Sequence, residues 1–142
     1  MPLENFGSIL NFAEELETED HLFYATVAAN PACAEHKELF KQFAADAQKN
    51  IKNAQRTRRE NVTEMILEPI KDFVRAPFCE ECAGADSMSA EYALATARRL
   101  EERAVNYYTR AAEKIKALPE VSRALKTVAK KHNAHRERLA AL

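Results

Sequence analysis

Apolar residues recur at three- and four-residue spacing along four long stretches of the chain, which is the pattern of amphipathic helices. The pattern predicts helices over residues 6–29, 31–60, 88–117 and 119–141, and Asp86 or Ser87 is the predicted cap of the third. Each helix carries one apolar stripe, and four such stripes can be buried only against one another. The sequence therefore predicts an all-α four-helix bundle, formed as a single domain over residues 1–142.

Two turn signals and one long connector predict how the helices are joined. Asn30-Pro31 and Leu118-Pro119 each end one helix and begin the next, so each pair forms an antiparallel hairpin. The connector over residues 61–87 contains two prolines and is predicted to hold one short helix at its start. About 12 extended residues span a 27-residue helix, so this connector can cross the whole bundle. Two hairpins with one long crossover make the ferritin-like arrangement.

Composition supports helices and argues against several partners. The 142 residues include 26 alanines and only two glycines, which disfavours strands and tight turns. The 21 basic and 22 acidic residues leave a net charge of -1, which predicts no nucleic acid and no membrane partner. The chain has no 18-residue apolar stretch, no signal-peptide pattern and three cysteines, so a cytoplasmic location is predicted.

An internal repeat relates the two halves of the chain. Shifting residues 13–28 by 84 positions places them on residues 97–112, and both segments read A-x-x-L-E-x6-Y. The second and fourth helices align at a shift of 85, which places Asn50 on His135. Chance similarity between alanine-rich helices and duplication of a helical hairpin both explain the match.

Five ionisable residues fall on the apolar stripes rather than on the solvated helix faces. They are Glu17 and Asp20 in the first helix, Glu101 in the third, and His132 and His135 in the fourth. A buried carboxylate is costly unless it is paired, hydrogen-bonded or bound to a metal. Imidazole and carboxylate together form a ligand set for iron, manganese or zinc. The pattern predicts a metal site inside the bundle.

The same residues also allow a network without metal. In that alternative Glu17 pairs with His132 and Glu101 with His135 as buried ion pairs. Tyr24 lies seven residues after the first glutamate, and Tyr108 seven after the second. Both are interpreted chiefly as core aromatics, and the alternative is that their hydroxyls donate to the carboxylates that hold a metal.

The chain resembles the rubrerythrin branch of the ferritin-like superfamily over residues 6–142. The resemblance rests on the repeated A-x-x-L-E-x6-Y pattern, the two hairpins with their crossover, and a histidine in the last helix. It implies an iron centre that reacts with peroxide or oxygen, or that handles iron. It also implies that Glu17, Glu101 and His135 are metal ligands.

Several ligand positions of that family hold other residues here. The glutamate of the fourth-helix pair is His132, and the second carboxylate position of the third helix is Ala104. The glutamate–histidine pair of the second helix falls on Ala47 and Asn50, while Asp20 compensates in the first helix. The remaining residues imply one or two ions of iron, manganese or zinc. If the site is degenerate, the chain is a metal-free structural or protein-interaction module.

Cys79-Glu-Glu-Cys82 is a single C-x-x-C pair in the crossover. Rubrerythrins often carry an iron module with two such pairs, and one pair cannot complete a four-cysteine site. Two subunits could share such a site, the pair could be a redox dithiol, or the thiols could simply be unpaired in a loop. We expect a homodimer, and the sequence does not identify the electron donor.

Overall fold

The computed structural model describes residues 3, 5–61, 70, 73–80 and 82–142. In this part the chain folds into four α-helices with three short 3₁₀ turns, so the predicted all-α bundle is confirmed. The helices are α1 (Phe6–Ala29), α2 (Lys37–Glu60), α3 (Ala90–Lys114) and α4 (Pro119–Ala140). None of the described helices has the length and hydropathy needed to cross a membrane. The short helix predicted at the start of the crossover lies outside the described residues.

Local capping explains where α1 begins and ends. The Asn5 side chain accepts a hydrogen bond from the Ser8 backbone, and the Ser8 hydroxyl accepts one from the Asn5 backbone. At the other end, buried Asn30 caps the next turn by accepting from Ala32, as predicted. The Asn30 amide also donates to the carbonyl of Met88 at 2.8 Å. This contact ties the α1–α2 corner to the end of the crossover.

Three predicted helix boundaries were wrong by two residues or more, and one of them is the end of the third helix, which lies at Lys114 rather than at residue 117. The second helix does not begin at residue 31, because Pro31–His36 forms a 3₁₀ turn with a non-helical backbone at Cys33. The third helix begins at Ala90 rather than residue 88, because Ser89 is its cap instead of Asp86 or Ser87. Residues 85–87 form a 3₁₀ turn before it, so neither predicted cap stands at the helix start.

Contacts between side chains fix the directions of the helices. Tyr24 bonds Glu101 and Tyr108 bonds Glu17, so α1 and α3 run in opposite directions. Helix α1 also packs along α2, and α3 packs along α4, as two hairpins. Because α1 is antiparallel to both α2 and α3, the helices α2 and α3 are parallel. The crossover therefore joins opposite ends of the bundle.

A polar layer divides the core of the bundle into two apolar parts. One part lies around the start of α1 and the end of α3, where Phe12, Tyr107 and the crossover residues Phe73 and Phe78 pack together. The other part lies around the end of α1 and the start of α3. Between them stand buried charged and polar side chains: Glu17, Asp20, Asn50, Glu101, Arg103, His132 and His135.

Candidate metal centre

His132 lies at the centre of the polar layer, between two buried glutamates. Its Nε2 atom is 2.7 Å from Glu17 Oε2, and its Nδ1 atom is 2.7 Å from Glu101 Oε1. Both carboxylates are fully buried, and His132 is 2% exposed. The periodicity of α1, α3 and α4 places the three residues on inward faces, so the layer that the sequence predicted does form.

Two tyrosines complete the glutamate contacts in a reciprocal way. The Tyr24 hydroxyl donates to Glu101 Oε2 at 2.6 Å, and the Tyr108 hydroxyl donates to Glu17 Oε2 at 2.7 Å. The 84-residue shift exchanges Tyr24 with Tyr108 and Glu17 with Glu101. The two hydrogen bonds are thus equivalent under the sequence repeat. Both rings are buried in the core, and both hydroxyls also bond a carboxylate.

His135 reaches a carboxylate on each side of its ring. Its Nδ1 atom is 3.0 Å from Glu101 Oε1, and its Nε2 atom is 2.8 Å from Asp46 Oδ2. The ring stacks on Phe43, with 3.8 Å between centroids. Asp46 lies outside the apolar stripe of α2 and is not among the predicted ligands. His135 nevertheless reaches Asp46, because its imidazole extends from α4 to the partly exposed edge of α2.

Asn50 brings the second helix into the layer. Its side-chain amide donates to Glu17 Oε1 at 3.2 Å, while its own oxygen Oδ1 is buried and has no partner. The 85-residue shift equates Asn50 with His135, which contacts the other glutamate. Asn50 is therefore a hydrogen-bonding counterpart of His135 rather than an unrelated core residue.

A buried arginine accompanies Asp20. Arg103 donates to Asp20 Oδ1 at 3.1 Å and to the carbonyl of Phe78 at 3.1 Å, and pairs with Glu19 at 2.9 Å. Arg103 is not among the residues predicted to lie in the layer. Its spacing, three residues after Leu100 and four before Tyr107, was a signal for a charge on the buried face.

The charges of the layer shift the pKa of His132 and Glu101 in opposite directions. Burial alone would lower the pKa of His132, but the carboxylates of Glu17 and Glu101 outweigh it and hold that pKa well above 6.5. Burial would raise the pKa of Glu101, but His132 and His135 lower it to about 2. In the absence of metal, His132 is an imidazolium that donates one hydrogen bond to each glutamate.

The pKa of Asp20 is raised, whereas that of Glu101 in the same layer is lowered. Burial raises the pKa of its carboxyl well above 3.8, and the opposing effect of Arg103 does not cancel it. The oxygen Oδ2 of Asp20 is buried without a hydrogen-bond partner. A buried oxygen of this kind is costly unless it gains a partner. Asp20 therefore offers an uncommitted oxygen donor at the edge of the layer.

Two overlapping groups of three residues could hold a metal ion. Ligand atoms of Glu101, His132 and His135 lie within 4.8 Å of one another, and the same is true of Glu17, Asp20 and His132. The first group joins two imidazoles to one carboxylate, a set that suits iron and other divalent transition metals. All five residues predicted as ligands are thus brought together, with His132 common to both groups.

The three cysteines lie apart from these groups. Cys33 is fully buried, as expected for a small packing residue, and burial raises its pKa. Cys79 is exposed and Cys82 is half-buried, and none of the three forms a disulfide. Among the described residues, the groups that could hold a metal contain no cysteine. A cysteine site shared between two subunits stays a prediction.

Comparison with known proteins does not assign the chain. No family model, curated protein or solved structure matches it. The chemistry of the buried layer therefore has to be argued from its own residues.

Proposed function

We propose that this protein is a ferritin-like metal-binding protein of the rubrerythrin type, with a redox role in peroxide or oxygen reduction or in iron handling. The observation that carries the proposal is the buried group of Glu101, His132 and His135. Its ligand atoms lie close enough to surround one ion. Two imidazoles and one carboxylate with open positions are the ligands of non-haem iron(II) oxygenases. Iron is the expected metal, with manganese or zinc as alternatives.

The surroundings of this group support metal binding. Asp46 lies 2.8 Å from the outer nitrogen of His135, and Tyr24 donates to Glu101. Partners of this kind orient a ligand histidine or carboxylate and fix which atom faces the metal. A bound iron ion would supply the electron-transfer chemistry that reduction of peroxide or oxygen requires. The chain's own contribution is to hold the ion away from bulk water.

The metal competes with a proton for the same site. His132 is protonated in the metal-free protein, and both its nitrogens donate to carboxylates. A ligand nitrogen must be free of its proton, so metal binding releases the His132 proton to solvent. Glu101 needs no such change, because its low pKa keeps it ionised.

A metal-free structural or interaction module is the second candidate. The observation in its favour is that the layer is almost completely hydrogen-bonded without an ion. Only Asp20 Oδ2, Asn50 Oδ1 and Arg103 Nε lack partners among the buried side-chain atoms described. In this case the ion pairs of His132 with Glu17 and Glu101 have a purely structural role.

Metal analysis decides between the two candidates. The chain is purified without a histidine tag, stripped with chelator, and titrated with ferrous iron without oxygen, and with zinc. We expect one tightly bound ion per chain, lost in His135→Ala and retained in the control His36→Ala, which changes a histidine outside the layer. The absence of binding in the wild-type protein, or equal binding by His135→Ala, would refute the metal site.

Loaded protein then tests the redox role. We expect iron-loaded protein to consume hydrogen peroxide in the presence of a chemical reductant, and zinc-loaded protein to be inactive. Iron binding without peroxide or oxygen consumption would leave iron handling as the function. Metal-free protein whose melting temperature is unchanged by any of these metals would favour the structural module.

A further inference from the structure

The two sides of the polar layer differ in how they are covered. On the α1–α3 side, Phe73 and Phe78 of the crossover pack against Tyr107, and Arg103 bonds the Phe78 carbonyl. On the α2–α4 side, small residues such as Ala54 and Ala124 line a cleft along the seam between the two helices, as seen in the described part of the chain. The seam is therefore a route from solvent toward the buried layer.

Two adjoining clefts lie along this seam. The first cleft has a volume of about 270 Å³ and reaches Tyr108 and Asn50, which both bond Glu17. The neighbouring cleft, of about 310 Å³, reaches His135 and Asp46. Asn50 and Lys131 line both clefts. The first cleft approaches the Glu17 end of the layer and the second its His135 end.

The first cleft has a distinct chemical character. Its walls include Leu10, Leu125 and Val128, and its charged lining residues are the two cations Arg56 and Lys131. Among the described residues, the lining contains no carboxylate, although the whole chain has a net charge of -1. Apolar walls beside two cations complement a molecule with an apolar body and one negative charge. The volume is at the small end for ligand pockets, which excludes a large ligand.

We propose that the α2–α4 cleft binds a short organic acid, with its carboxylate at Arg56 and Lys131 and its apolar body against Leu10, Leu125 and Val128. This inference rests on the proposed function only where it calls the acid a substrate, because the cleft itself is formed by the chain without a metal. The substrate class is then small amphipathic carboxylates, which would enter the bundle between α2 and α4.

A chain-length series on the metal-free protein tests the binding site. Acetate, butanoate, hexanoate and octanoate are titrated by calorimetry or by NMR of backbone amides. We expect affinity to rise about fourfold per added methylene group until the cleft is filled. We also expect 1-hexanol, which lacks the charge, and inorganic phosphate, which lacks the apolar body, to bind more weakly than hexanoate.

Charge reversal locates the site. Lys131→Glu should weaken hexanoate binding about five- to tenfold, since it replaces one attraction by a repulsion at a solvent-screened position. Lys130→Glu makes the same charge change at an exposed neighbour that does not line the cleft, and should leave affinity unchanged. Ala124→Phe should abolish binding by filling the cleft, with circular dichroism confirming that the variant is folded.

Several results would overturn the inference. One is that hexanoate does not bind. Another is that phosphate or 1-hexanol binds as tightly as hexanoate. A third is that Lys130→Glu and Lys131→Glu weaken hexanoate binding equally. A metal titration of the same samples separates the two proposals. Metal binding without carboxylate binding refutes the cleft and keeps the metal site. Carboxylate binding without metal binding refutes the metal site and keeps the cleft.

Discussion

Replacing His132 by leucine tests whether the buried layer is held by charge. In the metal-free protein His132 is the cation that contacts both Glu17 and Glu101, each fully buried. Leucine has a similar size but no charge and no hydrogen-bond donor. The substitution leaves two buried carboxylates, still bonded to Tyr108 and Tyr24, without their shared cation. We expect a large loss of stability rather than the small change typical of a surface histidine.

The expected magnitude follows from the burial of the pair. Breaking a buried ion pair by removing one partner costs about 3–5 kcal/mol, because the other charge stays in the interior. A domain of this size has a total stability of about 5–15 kcal/mol, so the loss is a large share of it. Adding Glu17→Gln and Glu101→Gln to His132→Leu removes the stranded charges. We expect this triple variant to recover at least about 2 kcal/mol.

The pKa shifts give the effect a pH signature. The pKa of His132 is raised above 6.5, so its contribution is complete below about pH 6.5 and is lost as pH rises through the raised value. The pKa of Glu101 is lowered from 4.5 to about 2, so its contribution is complete above about pH 4.5 and is lost toward pH 2. The difference between wild type and His132→Leu should be largest between about pH 4.5 and 6.5.

Urea unfolding in the presence of chelator measures these free energies, followed by circular dichroism and repeated from pH 4 to pH 9. His36→Leu is the matched control, because His36 lies outside the layer. A loss below about 1 kcal/mol in His132→Leu, the range of exposed ion pairs, would refute the reasoning. So would a triple variant that is no more stable than His132→Leu alone.

Two further predictions concern metal affinity and thiol reactivity. Because binding displaces the His132 proton, zinc affinity should rise up to about tenfold per pH unit between pH 6 and pH 8, measured by competition with a chromophoric chelator. A flat profile would contradict this exchange. Exposed Cys79 should react rapidly with Ellman's reagent, whereas buried Cys33 should react only in denaturant. The rapid phase should disappear in Cys79→Ser, and its persistence would contradict the assigned exposure.

The fold could be predicted because helix periodicity is a local property of the sequence. The bounds of α1 agree with the prediction, since Asn5 caps its start and Asn30-Pro31 ends it. The start of α3 could not be predicted as accurately, because Asp86, Ser87 and Ser89 lie within four residues and each can cap a helix. In the structure, Ala85–Ser87 forms a 3₁₀ turn at the end of the crossover, so Ser89 is the residue that caps α3.

The candidate site was predictable only in part, for a related reason. The stripe spacing identifies Glu17, Glu101 and His132, because each lies at the centre of its buried face. It fails for Asp46, whose contact with His135 depends on how α2 and α4 are offset and rotated. That offset is a property of packing between helices, and periodicity within one helix does not contain it.

The repeat explains why the two halves of the layer share their tyrosines and glutamates but differ at the position of His132. Tyrosines and glutamates obey the repeat, and their hydrogen bonds are reciprocal. His132, however, stands where the other half has Ala47, and one small residue leaves room for one imidazole to reach both glutamates.

A single central imidazolium is shared by the carboxylates of Glu17 and Glu101, and its two nitrogen atoms are the ones that would ligate a metal. If the proposed metal site is correct, protons and metal compete for the same ring. For that reason the stability of His132→Leu and the pH dependence of metal affinity measure the same interaction. If the histidine contributes little to stability, its proton is weakly held and metal affinity must vary little with pH. If the first effect is large, the second must be large as well.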